Sequence, residues 1–352
     1  MPRPPHVLHT AALAAISAAT LLWACNTGAI ETAPTAYPNT EGFGVPFDKG
    51  EDWHLHCTRV EHLAAPRRPA RPGATRCDAT DLYYLKRDQE TTSAAEWGQV
   101  RACAEASGDD AVLMMLHANG YGTSRDADRA IHHACKLNTA KAEMEARIAY
   151  LASPAAAADS QPFDLCDHIT SGRMGGVCAA ISEGRADRIR HARLERFAAS
   201  LPPAARQPFA RLRQAAAAFT LAAGAEVDVS GSGAAGFTVR HARRRKEEFM
   251  ETLFKAAAGT LPRTGARELA RLEQQRHAHY QKVLTSPSEQ APHPQRIRFS
   301  TVEREDVRKA EAAWLAYRDA WGPFLAAARL RTEAVSVRAM LTRQRIAQLE
   351  RI

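Results

Sequence analysis

After Cys178 the chain has no cysteine, and nowhere does it hold an apolar run of about 18 residues. The second absence excludes a bundle of membrane-spanning helices. The first excludes disulfides and thiolate metal sites from the whole C-terminal half. Aromatic residues are only 7% and β-branched residues are scarce, which argues against a sheet protein. No Cys-x-x-Cys occurs, so clustered-thiolate zinc sites have no sequence signal. No Gly-x-Ser-x-Gly or His-Glu-x-x-His occurs either, which removes two common hydrolase signatures. What remains is rich in alanine, leucine and arginine, the residues that favour helices. At 352 residues, 45% hydrophobic and 24% charged, the chain suits roughly two domains with buried cores and is not wholly disordered.

The net charge of +8 is divided unevenly. Residues 26–183 carry 15 Lys+Arg against 22 Asp+Glu, and residues 184–352 carry 31 against 17. All seven cysteines precede residue 180. Two regions of different chemistry are therefore expected, with a boundary near 183/184.

The N-terminus reads as an address. Arg3 precedes an apolar stretch, Ala11 to Leu22, that is too short to span a bilayer comfortably. It ends in Leu22-Trp23-Ala24-Cys25, which resembles a bacterial lipobox. That resemblance implies cleavage before Cys25, lipidation of Cys25 and a membrane attachment through the lipid. Asn26 after it favours the outer membrane. Residues 1–25 are thus the expected signal peptide, and 26–92 a tether and irregular segment, with APRRPARPG at 65–73 a loop. The location expected is the bacterial cell envelope, facing the periplasm. With Cys25 set aside, Cys57, Cys77, Cys103, Cys135, Cys166 and Cys178 form an even set suited to three disulfides in an oxidising compartment. Proximity favours Cys57–Cys77, Cys103–Cys135 and Cys166–Cys178.

The expected fold is all-α: helical hairpins in a disulfide-stapled N-terminal region over 93–183, and a helical bundle over 184–352. Helices are predicted over Ala94–Ala106, Ala111–Asn119, Ala127–Leu137 and Ala140–Leu151, with Asp109 or Asp110 and Asp126 as caps. Gly120 and Gly122 mark a turn that needs φ > 0. Residues 153–183 read as a loop between the regions. Beyond it helices are predicted at Ala186–Ser200, Ala204–Ala223, Phe237–Ala258 and Thr264–Leu284. Ser300-x-x-Glu303 has capping-box spacing and opens a last pair, Val302–Arg331 and Glu333–Leu349, with Gly322-Pro323 kinking or breaking the first.

Residues 111–135 resemble a Sel-type, tetratricopeptide-like repeat at Ala111, Leu116, Gly120, Gly122, Asp126 and Ala130. Only one unit is present, so a single hairpin is expected rather than an array. Residues 260–352 resemble the lysozyme inhibitor LprI family. The likeness rests on Trp314, Tyr317, Arg318 and Asp319 in AEAAWLAYRDAWGPF, and on Leu341, Thr342 and Arg345 in LTRQRIAQL. It implies an exported helical domain that inhibits lysozyme-like muramidases. The family's cysteine after this motif is Trp321 here, and its downstream partner is also missing, so packing must hold the last helix pair. Independently of the family, Trp314, Tyr317 and Trp321 are spaced i, i+3, i+7 and share one helix face, a core stripe.

Other chemistry-bearing groupings are weak. His54, His56, Cys57 and His62 have metal-like content but no helical frame to hold a ligand set. Asp164, Asp167 and His168 flank Cys166 in a loop, where a carboxylate–His pair suits acid–base work but Asp before a helix is more often a cap. Glu226 and Asp228 lie two apart beside glycines, as carboxylates that satisfy turn amides, as ligand contacts, or, if extended, as the paired carboxylates of a hydrolase. Arg243-Arg244-Arg245-Lys246 reads as a solvated basic face. An exported protein meets little nucleic acid, so anionic lipid, lipopolysaccharide or peptidoglycan is the partner such a face implies. The expected function is binding rather than catalysis, without cofactor or metal: a lipid-anchored envelope protein that inhibits a muramidase, or one that holds an anionic envelope component or another envelope protein.

Overall fold

The computed structural model describes residues 36–63, 77–154, 156 and 160–352. The expected signal peptide, Cys25 and the expected loop over 65–73 lie outside the described residues. Among the described residues there are twelve α-helices and no named strand, an all-α fold.

Six shorter helices come first: α1 (Asp52–Val60), α2 (Ala79–Arg87), α3 (Ala94–Ser107), α4 (Asp110–Asn119), α5 (Ala127–Ala134) and α6 (Lys141–Ala152). Local chemistry sets their ends. Ser93 and Glu96 form a reciprocal capping box on α3, while Asp109 and Asp126 accept from Val112 and Arg129 to start α4 and α5. Gly120 and Gly122 both take positive φ. At Gly122 a Cβ would stand 2.5 Å from Trp97 Cβ, so no larger residue fits where the α4–α5 turn meets α3. The predicted α4–α5 hairpin is present.

The segment expected to be irregular, 26–92, contains α1 and α2. Trp53, Cys57 and Val60 of α1 are buried, as are Tyr83 and Tyr84 of α2. Each helix is only nine residues long, below the length at which sequence periodicity stands out. All six remaining cysteines are paired, but two expected pairings are replaced. Cys57 joins Cys135 and Cys77 joins Cys103, while Cys166–Cys178 is as expected. The first bond ties α1 to the end of α5, so the stapled region begins well before residue 93.

The loop expected over 153–183 ends early. Helix α7 runs from Gly172 to Ser200 without a break, through the position where the charge balance changes. Its first turns carry Met174, Cys178 and Ile181 against the N-terminal core, and its last carry Leu194, Phe197 and Ala198 against the second core. Next come α8 (Pro203–Ala223), α9 (Ala234–Ala258), α10 (Ala266–Thr285), α11 (Arg304–Ala328) and α12 (Ala334–Leu349). Helix α8 lies along α11, α9 along α7, and α10 along α12. Gly176 permits the α7–α9 approach, since a Cβ there would lie 2.7 Å from Ala235 Cβ, and Gly172 leaves room for the Ser232 carbonyl just before α9. Residues 36–352 form one compact unit.

Helix α11 is not broken at Gly322-Pro323; its start departs from expectation, at Arg304 with no side-chain cap. Ser300 turns back to the Ile297 carbonyl, and Thr301 binds Asp228, so Ser300-x-x-Glu303 is not a capping box.

Candidate functional site

Helices α7, α8 and α9 leave a groove of about 880 Å³ between them. That is the size range of small-molecule sites, roughly 300–1,000 Å³. Its floor is apolar, with Leu194 from α7, Ala216 and Ala217 from α8, and Phe249 and Met250 from α9, and Leu221 of α8 stands at its edge. Leu221 is 82% exposed, the most exposed large apolar side chain in the described residues. Single exposed leucines are ordinary; one that faces an apolar groove is not.

The groove's polar edge is built from ion pairs. Arg190, with a side chain only 8% exposed, donates to Asp187, Glu183 and Glu247. Lys246 bonds Glu183 at 2.9 Å and also reaches Asp187. Burial pushes the Asp187 carboxyl up, but Lys246 and Arg190 outweigh it and leave it below its ordinary value. Arg213 pairs with Glu195, and Arg188 pairs with Asp81 and Asp88. The edge is polar but internally neutralised, so the floor carries the selectivity.

The basic run in α9 is therefore not one solvated face. Arg243 and Arg244 are exposed, Arg245 is buried and Lys246 is ion-paired to α7. The face fails because four consecutive helical residues point to different sides of the helix, one of which is the core.

Of the seven residues on which the family resemblance rests, five are core, Arg318 is half-buried and Asp319 is exposed. Trp314, Tyr317 and Trp321 are at most 5% exposed, and Leu341, Thr342 and Arg345 are fully buried. Tyr317 stacks on Phe219 of α8 at 5.8 Å, and Trp321 meets Phe324 edge-on. Arg318 bonds Glu273 of α10 at 3.1 Å and also holds the exposed Asp319. Thr342 donates to the same Glu273. Arg345 donates its Nε to Glu311 at 2.9 Å and its two Nη atoms to Glu226. Arg276 bridges Glu311 and Glu273. Glu226 is thus the buried partner of a guanidinium rather than a turn carboxylate. Asp228 does serve a turn, accepting from Ser230 and from Thr301.

Sequence reasoning missed Glu311, Glu273 and Arg276. A signal existed for Glu311: it lies three residues before Trp314, hence on the buried face, where a lone carboxylate needs a partner. Three of the remaining candidates are structural. Cys57 is in a disulfide, Asp164 accepts from Tyr84 and Arg87, and Asp167 accepts from the Asp164 amide. Among the described residues no group of three or more His, Cys, Asp or Glu side chains could hold a metal ion, and no helix is long and apolar enough to cross a membrane. Comparison with family models, curated proteins and solved structures gives no match to this chain, so the groove and the ion network must be read on their own chemistry.

Proposed function

We propose that this chain is a binding protein of the bacterial cell envelope, exported and anchored through Cys25, whose groove takes the acyl chain of a lipid. The observation that carries the reading is the apolar floor with Leu221 open at its edge. Each methylene moved from water onto that floor is worth about 0.8 kcal/mol, so a chain of modest length suffices for tight binding. The Cys25 expectation supports the location: a lipoprotein sits where acyl chains are abundant. The test is titration of the purified chain with the fluorescent apolar amine N-phenyl-1-naphthylamine. A saturable rise in emission that palmitate displaces is expected; no saturation, or a signal unchanged in Leu221→Gln, removes the reading.

A second reading is inhibition of a lysozyme-like muramidase, which the LprI resemblance implies. It draws support from an open cleft of about 670 Å³ lined by Glu51, Asp52, Trp53 and Glu145. Backbone hydrogen bonding at Asp48, with Lys141 and Trp53, holds the Glu51 carboxyl down at about 2. Basic lysozymes would meet charge complementarity there rather than at the C-terminal half. The buried motif residues support a likeness of packing and leave inhibition to be measured: a stoichiometric excess of the protein should slow cell-wall lysis by lysozyme, and unchanged lysis ends this reading.

A further inference from the structure

Arg245 is 3% exposed. Its Nη2 donates to Glu248 at 2.9 Å, while its Nε and Nη1, both shielded from solvent, have no partner. An unmatched guanidinium edge in an interior is costly, and proteins retain such edges where something completes them. This one borders a cavity of about 170 Å³ enclosed by α9, the end of α12 and the segment after α8. The exposed Arg244 and Arg351 stand on its rim. His241 also lines it, with a buried Nε2 that has no partner.

The carboxylates nearby are already engaged. Glu226 is taken by both Nη atoms of Arg345, Asp228 accepts from Ser230 and Thr301, and Glu248 accepts from Arg245 and Gln348. The partners of Asp228 are neutral and leave its charge in place, so Arg244, Arg245, Arg345 and Arg351 stand against Glu226, Asp228 and Glu248, one positive charge in excess. Its effect reaches His241, whose imidazole is pushed down to about 4 by burial and by Arg245, Arg244, Arg345 and Arg351.

We propose that this cavity binds a phosphate group, held by Arg245, Arg244 and Arg351, with His241 donating through Nε2–H. Three guanidinium groups around a small cavity match a tetrahedral dianion better than a single carboxylate, and planar guanidinium forks suit phosphate oxygens. The site is separate from the apolar groove and does not rest on it: the groove lies between α7, α8 and α9, the cavity between α9, α12 and residues 226–228.

The test has two arms, both with the full chain. Calorimetric titration with inorganic phosphate, at constant ionic strength in chloride, reads the free anion. Flotation with phosphatidylcholine vesicles, with and without phosphatidic acid, reads a lipid phosphate. Arg244→Gln and Arg351→Gln lie on the surface and leave the fold intact; each should weaken binding about ten-fold or more, the worth of one charge-assisted hydrogen bond. Arg245→Met tests the buried contact, and if it does not fold the two surface variants still decide. Saturable binding in either arm, lost in these variants, supports the site and identifies its source. No saturable binding in both arms, or binding that neither surface substitution moves, overturns it.

Discussion

Arg345 holds Glu226 by two hydrogen bonds, Nη1 to Oε2 at 2.8 Å and Nη2 to Oε1 at 2.7 Å, across 119 positions of sequence. The pair fastens α12 to the segment that follows α8. Arg345 is fully buried, and burial alone would lower its pKa; the two carboxylates, Glu226 and Glu311, outweigh that and raise it. Removing the cation strands the buried Glu226 and leaves Glu311 with Arg276 alone. Arg345→Met should therefore cost about 3–5 kcal/mol, read as a lower urea midpoint, because breaking a buried pair costs far more than the pair contributes. A loss below about 1 kcal/mol would show that water already relieves those carboxylates.

The aromatic stripe on α11 carries a comparable share. Trp321 is 1% exposed, packed among Tyr317, Phe249 and Phe324. Trp321→Ala should destabilise by about 3–5 kcal/mol through lost burial and the cavity left behind. Phe299→Ser, at a side chain 72% exposed, should stay within about 0.5 kcal/mol. Thermal unfolding of the two variants compares them directly.

The disulfides close loops of different length. Cys57–Cys135 spans 78 positions and Cys166–Cys178 spans 12. Chain entropy predicts that the first is worth about 4.5 kcal/mol and the second about 3 kcal/mol. Cys77–Cys103 is nested inside the first loop and shortens it, so the two are not additive. The double variant Cys57→Ala/Cys135→Ala should unfold at lower urea than Cys166→Ala/Cys178→Ala.

Acid should act in two stages. Burial first, and then neighbouring cations, push the imidazoles of His117 and His241 down to about 4 from an ordinary 6.5. The unfolded chain binds those protons more readily, so this stability is complete above pH 6.5 and is lost as pH falls toward 4. Glu143 follows. Burial opposes its charge, but the amides of Ser171 and Thr170 and the Thr139 hydroxyl outweigh burial and hold it down at about 2. Its contribution is complete above pH 4.5 and disappears between there and 2. Glu51 and Glu96, also held down at about 2, share that lower stage, so Glu143→Gln should shrink it rather than remove it, and should cost about 1.5–3 kcal/mol at neutral pH, the range for hydrogen bonds to a charged group. Melting temperature followed from pH 8 to pH 2 resolves both stages.

Leu221 separates binding from folding. Because it is 82% exposed, Leu221→Gln should leave stability within about 0.5 kcal/mol of the parent. The same change puts a polar group at the edge of the groove, so the affinity for an apolar fluorophore should fall several-fold. Paired measurements of unfolding and fluorescence on one preparation check both statements.

The all-α class and the main C-terminal helices were legible because long amphipathic runs announce themselves. So was the buried stripe of Trp314, Tyr317 and Trp321, which needs only helical spacing. The short α1 and α2 were not legible: they are held by the core and by Cys57 and Cys77, and their own periodicity is brief. Pairing of the cysteines depended on which helices meet, and nearness in sequence misassigned two of three bonds. The groove was hidden for a related reason. Leu194, Leu221 and Met250 look like ordinary helix residues until three helices set them side by side. Arg245 looked like part of a basic surface because a run of like charges conceals which member points inward.

Helix α7 has a rotational consequence. At 29 residues and 1.5 Å per residue it is about 43 Å long, with one end in each of two cores. Each residue also advances the helix by about 100°. Deleting a single residue from its middle would turn one core against the other by more than a quarter circle, and would pull the α7 acids Glu183 and Asp187 out of phase with Lys246. Loops elsewhere in the chain tolerate changes of length; here length is a phase angle, and only steps close to whole turns preserve it.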